Sequence, residues 1–305
     1  MNNKNEIMNE KIIDIIFITI ASFLPIKNIY SGRFVCKKWY YILISKLTKK
    51  IITYKIPNKV NLIRKEFIGI YVINTSNINN RIFFSGFNTG LEFVIYDYDK
   101  KKFFDLELSY FSSNSKFICG YRHQNIKIFN LEFQELNKWN CDNINDLTVD
   151  ENYIYVVGDK ICYVYDFKGN KINYWNISEK KEIGFPKIRV NNNKIYVSIN
   201  DESDNWIKIF SNEGKCIRDI HISKNMYNDL IAFQFYVSSS IIYVLDYTDN
   251  SIKFFTCDGD LISKFVTSNL WCREECEKLN NLIVIEDNLY IYRYLYLYTF
   301  KLFFQ

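Results

Sequence analysis

Beyond residue 80 the apolar and polar positions fall into short alternating runs, and one aromatic-containing run returns six times along the chain. The copies are Arg81-Ile82-Phe83-Phe84, Lys116-Phe117-Ile118, Tyr153-Ile154-Tyr155-Val156, Lys194-Ile195-Tyr196-Val197, Ile241-Ile242-Tyr243-Val244 and Asn288-Leu289-Tyr290-Ile291. Aligned at Phe83, Ile118, Tyr155, Tyr196, Tyr243 and Tyr290, they are spaced by 35, 37, 41, 47 and 47 residues. A second apolar strand follows each, centred on Tyr96, Phe129, Tyr165, Phe210, Phe255 and Tyr298.

In three units a glycine stands four residues past that second aromatic: Gly169, Gly214 and Gly259. Glycine reaches the positive φ of a tight hairpin without strain, so another strand is expected beyond it. A further strand precedes the next unit, as in Asp146-Leu147-Thr148-Val149, Lys187-Ile188-Arg189-Val190, Phe233 to Val237 and Leu282-Ile283-Val284-Ile285. Four antiparallel strands per repeat predict a mainly β fold, a six-bladed β-propeller over residues 51–305. The sixth unit ends after three strands, and Ile51-Ile52-Thr53-Tyr54-Lys55-Ile56 is the strand expected to complete it and close the ring. The repeats lack the Gly-His and Trp-Asp marks of WD units; stretches such as Ile207-Lys208-Ile209-Phe210-Ser211-Asn212-Glu213-Gly214 resemble NHL-type blades.

The first fifty residues have a different period. Ile12, Ile13, Ile15, Ile16, Phe17, Ile18, Ile20, Phe23 and Leu24 leave a narrow polar arc on a helix that Pro25 ends, and Phe34 to Leu47 predicts another. A short helix fits between them, giving a three-helix domain over residues 1–50 with more apolar surface than so few residues enclose. The order Ile12-Ile13-Asp14-Ile15-Ile16, Ser22-Phe23-Leu24-Pro25, Val35-Cys36-Lys37-Lys38-Trp39 resembles the F-box motif, with Ile13 in place of the opening proline. The resemblance covers about one seventh of the chain. It implies that Leu24, Pro25, Ile29, Val35, Cys36 and Trp39 dock on the Skp-family adaptor of a cullin-RING ubiquitin ligase, with Cys36 a packed side chain.

Charge separates the two parts. Residues 1–60 carry eleven Lys/Arg and three acids, a net +8, and the rest carries 28 against 31, a net −3. A propeller of that charge argues against nucleic acid as its partner. The eight cysteines are scattered, with Cys272 and Cys276 the one close pair and neither His123 nor His221 near them. That spacing predicts reduced structural thiols in an intracellular protein, cytoplasmic or nuclear, with no bound metal. The apolar run from Ile12 to Ile26 is interrupted by Asp14 and too short to span a bilayer, so no membrane partner is expected. The abundance of Asn (36), Ile (46) and Lys (31) over Ala (2) weakens propensity arguments. This composition and the domain pairing also resemble proteins of large DNA viruses of amoebae, which implies a host's ligase.

Expansions of chain gather in two classes of connection, between strands two and three (Gly86 to Leu91, Asn200 to Asn205) and from blade to blade (Asn176 to Pro186, His221 to Asp229 and Thr267 to Asn281). In a propeller these emerge on one face, where Phe185, Trp206, Trp271 and Arg273 are the candidate target-binding residues. No catalytic constellation and no cofactor motif is found. Asp97, Asp166 and Asp246 recur at strand ends and are expected to be solvated. The leading function class is thus a substrate-recognition subunit of an SCF-type ligase. The alternatives are a non-ligase protein- or RNA-binding NHL-type propeller and, third, a propeller hydrolase with paired channel carboxylates.

Overall fold

A computed structural model describes residues 57–304 apart from 68–69, 79–80, 89–92, 105, 107, 180–183, 201–202, 225–232, 250, 267–278, 286–287 and 294–295. The expected helices of residues 1–50, with Leu24, Pro25, Ile29, Val35, Cys36 and Trp39, lie outside the described residues, and so do Ile51–Ile56, Trp271 and Arg273. Among the described residues there is no helix. By backbone contacts the chain divides into two compact units, Met1–Pro57 with Phe304–Gln305, and Asn58–Phe303.

The second unit consists of six four-stranded antiparallel sheets. The first strand of the chain, β1 (Pro57–Phe67), is followed by blade one, β2 (Ile70–Ile78), β3 (Arg81–Asn88), β4 (Phe93–Asp97) and β5 (Lys102–Phe104). Blade two is β6 (Tyr110–Ser113), β7 (Phe117–Arg122), β8 (Asn125–Asn130) and β9 (Glu135–Asn140). Blade three is β10 (Asp146–Val149), β11 (Ile154–Val157), β12 (Ile161–Tyr165) and β13 (Lys171–Asn176). Blade four is β14 (Ile188–Asn191), β15 (Lys194–Asn200), β16 (Asp204–Ser211) and β17 (Cys216–Lys224). Blade five is β18 (Phe233–Val237), β19 (Ile241–Asp246), β20 (Ser251–Thr256) and β21 (Leu261–Val266). Blade six is β22 (Leu279–Ile285), β23 (Asn288–Arg293) and β24 (Tyr296–Phe304), with β1 as its outer strand.

The innermost strands β2, β6, β10, β14, β18 and β22 each touch the innermost strand of the blade on either side, so the ring closes as a six-bladed β-propeller. The expected closure by an N-terminal strand is found, with a correction: the closing strand is Pro57–Phe67, one segment later than Ile51–Ile56. Proline at its first residue is compatible with an outer strand, because a neighbouring strand lies on one side only.

The core lies between blades. One apolar cluster joins Tyr155 and Trp175 of blade three to Ile195 and Phe210 of blade four, and another joins Tyr196 and Ile220 of blade four to Phe235 and Phe255 of blade five. The aromatic positions that mark the repeat serve these faces: Tyr155 and Tyr196 are fully buried. Their hydroxyls donate to Asp150 Oδ2 at 2.8 Å and to the Cys257 carbonyl at 3.3 Å, so burial leaves no orphaned polar atom at either.

The turn joining the two outer strands of a blade has one local design in blades two to five. Asn130, Asp166, Ser211 and Thr256 begin it, and each side-chain oxygen accepts from backbone N–H groups of its own turn. Gly169, Gly214 and Gly259 hold the left-handed position with φ of 86°, 85° and 91°. In blade two the same place is taken by Phe133 at φ 66°, which is why the glycine signal is missing from that repeat. Just past the turn, the outer strand of these four blades shifts register by one residue, a β-bulge next to the sheet edge.

Candidate recognition site at the channel mouth

Because every inner strand begins on the same side of the ring, the connections entering them share one mouth. Backbone N–H of Gly184, on the connection into blade four, donates to the Asn200 carbonyl at the end of β15, at 2.7 Å. This bond brings two of the expanded connection classes together on one face. Phe185 follows directly and is 52% exposed. Trp206, across the same hairpin, is half-buried against the core between blades three and four, and its ring meets His221 edge-on at 4.8 Å. Of the two described candidates for target contact, Phe185 is presented outward and Trp206 is largely a packing residue.

Lys187 lies two residues beyond Phe185 and extends the β14 ladder, its N–H donating to Ser198 Oγ at 2.7 Å and its carbonyl accepting from Ser198 N at 2.9 Å. Its ammonium sits 4.2 Å above the ring of Tyr110, at the start of the innermost strand of blade two. Tyr110 in turn stacks on Tyr121 with centroids 5.2 Å apart, and Tyr121 donates to the Asn145 carbonyl at 2.6 Å. Burial, with Asp146 and Tyr110 nearby, pushes the Tyr121 hydroxyl well above the usual tyrosine range, so it remains a neutral donor.

Arg189 follows on the same strand face as Lys187, since side chains two apart in a strand point the same way. Its Nη1 donates to Asp146 Oδ2 at 2.8 Å and to the Ile188 carbonyl at 2.6 Å. Its guanidinium carbon lies 5.9 Å from the Phe235 ring of blade five. The other oxygen demand of Asp146 Oδ2 is met by Ile188 N at 3.0 Å, so one carboxylate ties blade three to blade four.

The six inner strands line an open cavity of about 170 Å³ that Arg189 borders, with Lys187 two residues earlier on the chain outside its lining. The positions paired with the six aligned repeat positions Phe83, Ile118, Tyr155, Tyr196, Tyr243 and Tyr290 are Ser76, Ser113, Thr148, Arg189, Tyr236 and Ile283. Small hydroxyl side chains on blades one to three thus face Arg189 and Tyr236 on blades four and five. No carboxylate is among the residues lining the cavity.

The strand-end carboxylates differ from expectation. Asp97 and Asp246 are fully buried, not solvated. Asp97 pairs with Arg81, and Asp246 pairs with Lys253, which also donates to the Ile222 carbonyl at 2.9 Å. Partners remove the penalty that makes an unpaired buried carboxylate rare. Asp166 caps its turn, and the Asn170 side chain bonding to it holds its carboxyl below the ordinary range. On blade four, Ser203 Oγ donates to Asp204 Oδ2 at 2.8 Å and His221 Nε2 lies 2.9 Å from Asp204 Oδ1. Asp204 thus accepts from the Ser203 hydroxyl and holds the His221 ring through its other oxygen.

Sequence reasoning reached Phe185 and Trp206 but missed Tyr110, Asp146, Lys187 and Arg189. The sequence carried only a fragment of the signal, two cations at alternate positions of Lys187-Ile188-Arg189-Val190, without showing what the other blades place beside them.

No protein-family profile and no curated protein matches the chain. Among solved structures the chain is similar to "KlHsv2 with loop 6CD replaced by a Gly-Ser linker", at 15% identity and a TM-score of 0.49, over 70% of this chain and 72% of that one.

Proposed function

We infer that the chain is the substrate-recognition subunit of an SCF-type cullin-RING ubiquitin ligase. Its first fifty residues dock on a Skp-family adaptor, and the propeller mouth holds a target protein. The observation that carries this reading is the pairing of the ordered Leu24-Pro25 and Val35-Cys36-x-x-Trp39 motifs with a closed ring whose long connections share one mouth. A rigid ring suits recognition because its loops are positioned without paying an ordering entropy on binding. Ubiquitin transfer is then accelerated by effective concentration: the target lysine is held near a charged conjugating enzyme, and this chain supplies no chemistry.

The test uses the full chain and a purified Skp-type adaptor in a binding titration. Leu24→Ala with Trp39→Ala removes two apolar anchors and is expected to weaken binding at least about a hundredfold, anchors of this kind being worth about 2 kcal/mol or more each. Failure of the unaltered chain to bind any Skp-type adaptor overturns the ligase reading and leaves a non-ligase binding propeller of NHL type. RNA as the partner of that propeller would then show as a mobility shift that weakens steeply with salt.

A further inference from the structure

We propose that the propeller channel is a carboxylate-binding subsite, which takes an acidic side chain of the bound protein between Lys187 and Arg189. The inference rests on the reading of this mouth as the target-binding face.

Two features of the channel point to an anion. The Arg189 fork is half used: Nη1 holds Asp146 and the Ile188 carbonyl, while Nη2 and Nε have no partner among the described residues. A guanidinium with a free edge is the group best suited to a carboxylate, which accepts two parallel N–H bonds. The Lys187 ammonium rests on the Tyr110 face with no carboxylate in ion-pair reach among the described residues. Buried or half-buried cations normally acquire counter-charges within the protein; Arg189 has Asp146, and Lys187 has none among the described residues.

Charge and size then select the class of anion. Among the described residues, Lys187 and Arg189 against Asp146 leave one net positive charge, and no acid lines the cavity. A monoanionic carboxylate neutralises that charge. A phosphate dianion would retain an uncompensated negative charge in a partly desolvated site, which is unfavourable. The cavity, at about 170 Å³, matches the space that holds a benzene-sized group in an apolar core, about 150 Å³. The five heavy atoms of a glutamate side chain beyond Cα fit it, entering beside the small hydroxyls of blades one to three. Farther in, Asn77 Oδ1 is buried and has no hydrogen-bond partner, an acceptor open to an N–H of the same peptide.

The experiment is a calorimetric or NMR titration of the full chain with N-acetyl-glutamate amide, its neutral counterpart N-acetyl-glutamine amide, and inorganic phosphate. The glutamate derivative is expected to bind in the millimolar range, at least about fivefold tighter than either comparator, and to weaken as salt rises. Lys187→Gln, at the open mouth, is expected to lower the affinity about fivefold with an unchanged melting temperature. Arg189→Lys keeps the charge but removes the fork and is expected to lower it at least as much. Because Arg189 also ties two blades together, its result counts only beside a melting curve showing a folded ring. Equal binding of the glutamate and glutamine derivatives, tighter binding of phosphate, or indifference to Lys187→Gln overturns the proposal. The adaptor titration is independent: loss of adaptor binding with the glutamate preference intact refutes the ligase role and leaves the subsite standing.

Discussion

Gly214 shows how a single residue fixes the spacing between blades. A methyl group built on it would lie 2.5 Å from Cδ2 of Trp175, which reaches over from the outer strand of the preceding blade. Gly169 has the same relation to Trp139 and Gly259 to Ile220, at 3.0 Å and 2.7 Å. Positive φ is thus one of two reasons for these glycines, and the close approach of the neighbouring blade is the other. Gly214→Ala combines left-handed strain with overpacking and is expected to destabilise the protein by about 2 to 4 kcal/mol, read from urea unfolding followed by tryptophan fluorescence. Phe133 fills the equivalent place in blade two by the opposite solution. Its ring packs on Phe104 of blade one at 4.5 Å and on Phe83 at 5.8 Å, which offsets the cost of φ 66°. Phe133→Gly should therefore be more stable than Phe133→Ala by about 1 kcal/mol, since both lose the ring and the alanine keeps the strain. The reverse order would show that the backbone there is not strained.

Within a blade, position along a strand does not decide environment. Lys127, Lys208 and Lys253 occupy the same place in the third strand of blades two, four and five, two residues before Phe129, Phe210 and Phe255. Lys208 pairs with Asp219 at 3.5 Å near the surface, whereas Lys253 is 6% exposed and pairs with Asp246 and Asp249. Lys253→Ala strands the buried Asp246 and is expected to cost about 3 to 5 kcal/mol. Lys208→Ala should cost less than about 1 kcal/mol, and the two chemical denaturation curves give the comparison. Burial raises the Asp249 carboxyl, but hydrogen bonds from Lys264, Ser251 and Lys253 outweigh it and hold it below the ordinary range. Its contribution is present above the unfolded value of about 3.9 and is lost as pH falls through the lower folded value. The bulges past each outer turn place Leu136, Ile172 and Ile217 at 54%, 54% and 53% exposure on successive blades. They interrupt an edge that would otherwise pair with another chain.

For the whole ring, closure depends on β1 pairing with β24. Asn61→Pro with Leu62→Pro removes adjacent N–H donors from β1, so whichever faces β24 is lost. Faster amide exchange in blade six than in blade three is the expected outcome, with self-association on sizing columns as the β24 edge is exposed. Unchanged exchange would mean the ring is held by inter-blade packing alone. The same packing sets the alkaline limit. Burial pushes the thiols of Cys119 and Cys162 and the hydroxyls of Tyr155 and Tyr196 well above their ordinary ranges. The folded state keeps these protons while the unfolded chain releases them, so their stabilisation is complete below about pH 8.5 and declines as pH rises through about 10. Urea midpoints measured across that interval are expected to fall steadily.

The sequence by itself determined the repeat, the number of blades and the principle of ring closure, because alternation of apolar residues and the period of the marker aromatics are local properties of the chain. It did not mark the closing strand correctly, since Ile51–Ile56 and Pro57–Phe67 are both extended in pattern and only pairing with β24 distinguishes them. Glycine revealed three turns and hid the one built on Phe133, where a contact from another blade carries the strain. Of the candidate site, Phe185 was legible as an aromatic in an expanded connection. The channel cluster of Tyr110, Asp146, Lys187 and Arg189 was not, because its members lie on three blades and acquire their chemistry only when the ring brings them within a few ångströms. A charge on a strand is a solvated face or a site according to what the neighbouring sheet places opposite it, and that is decided by tertiary structure alone.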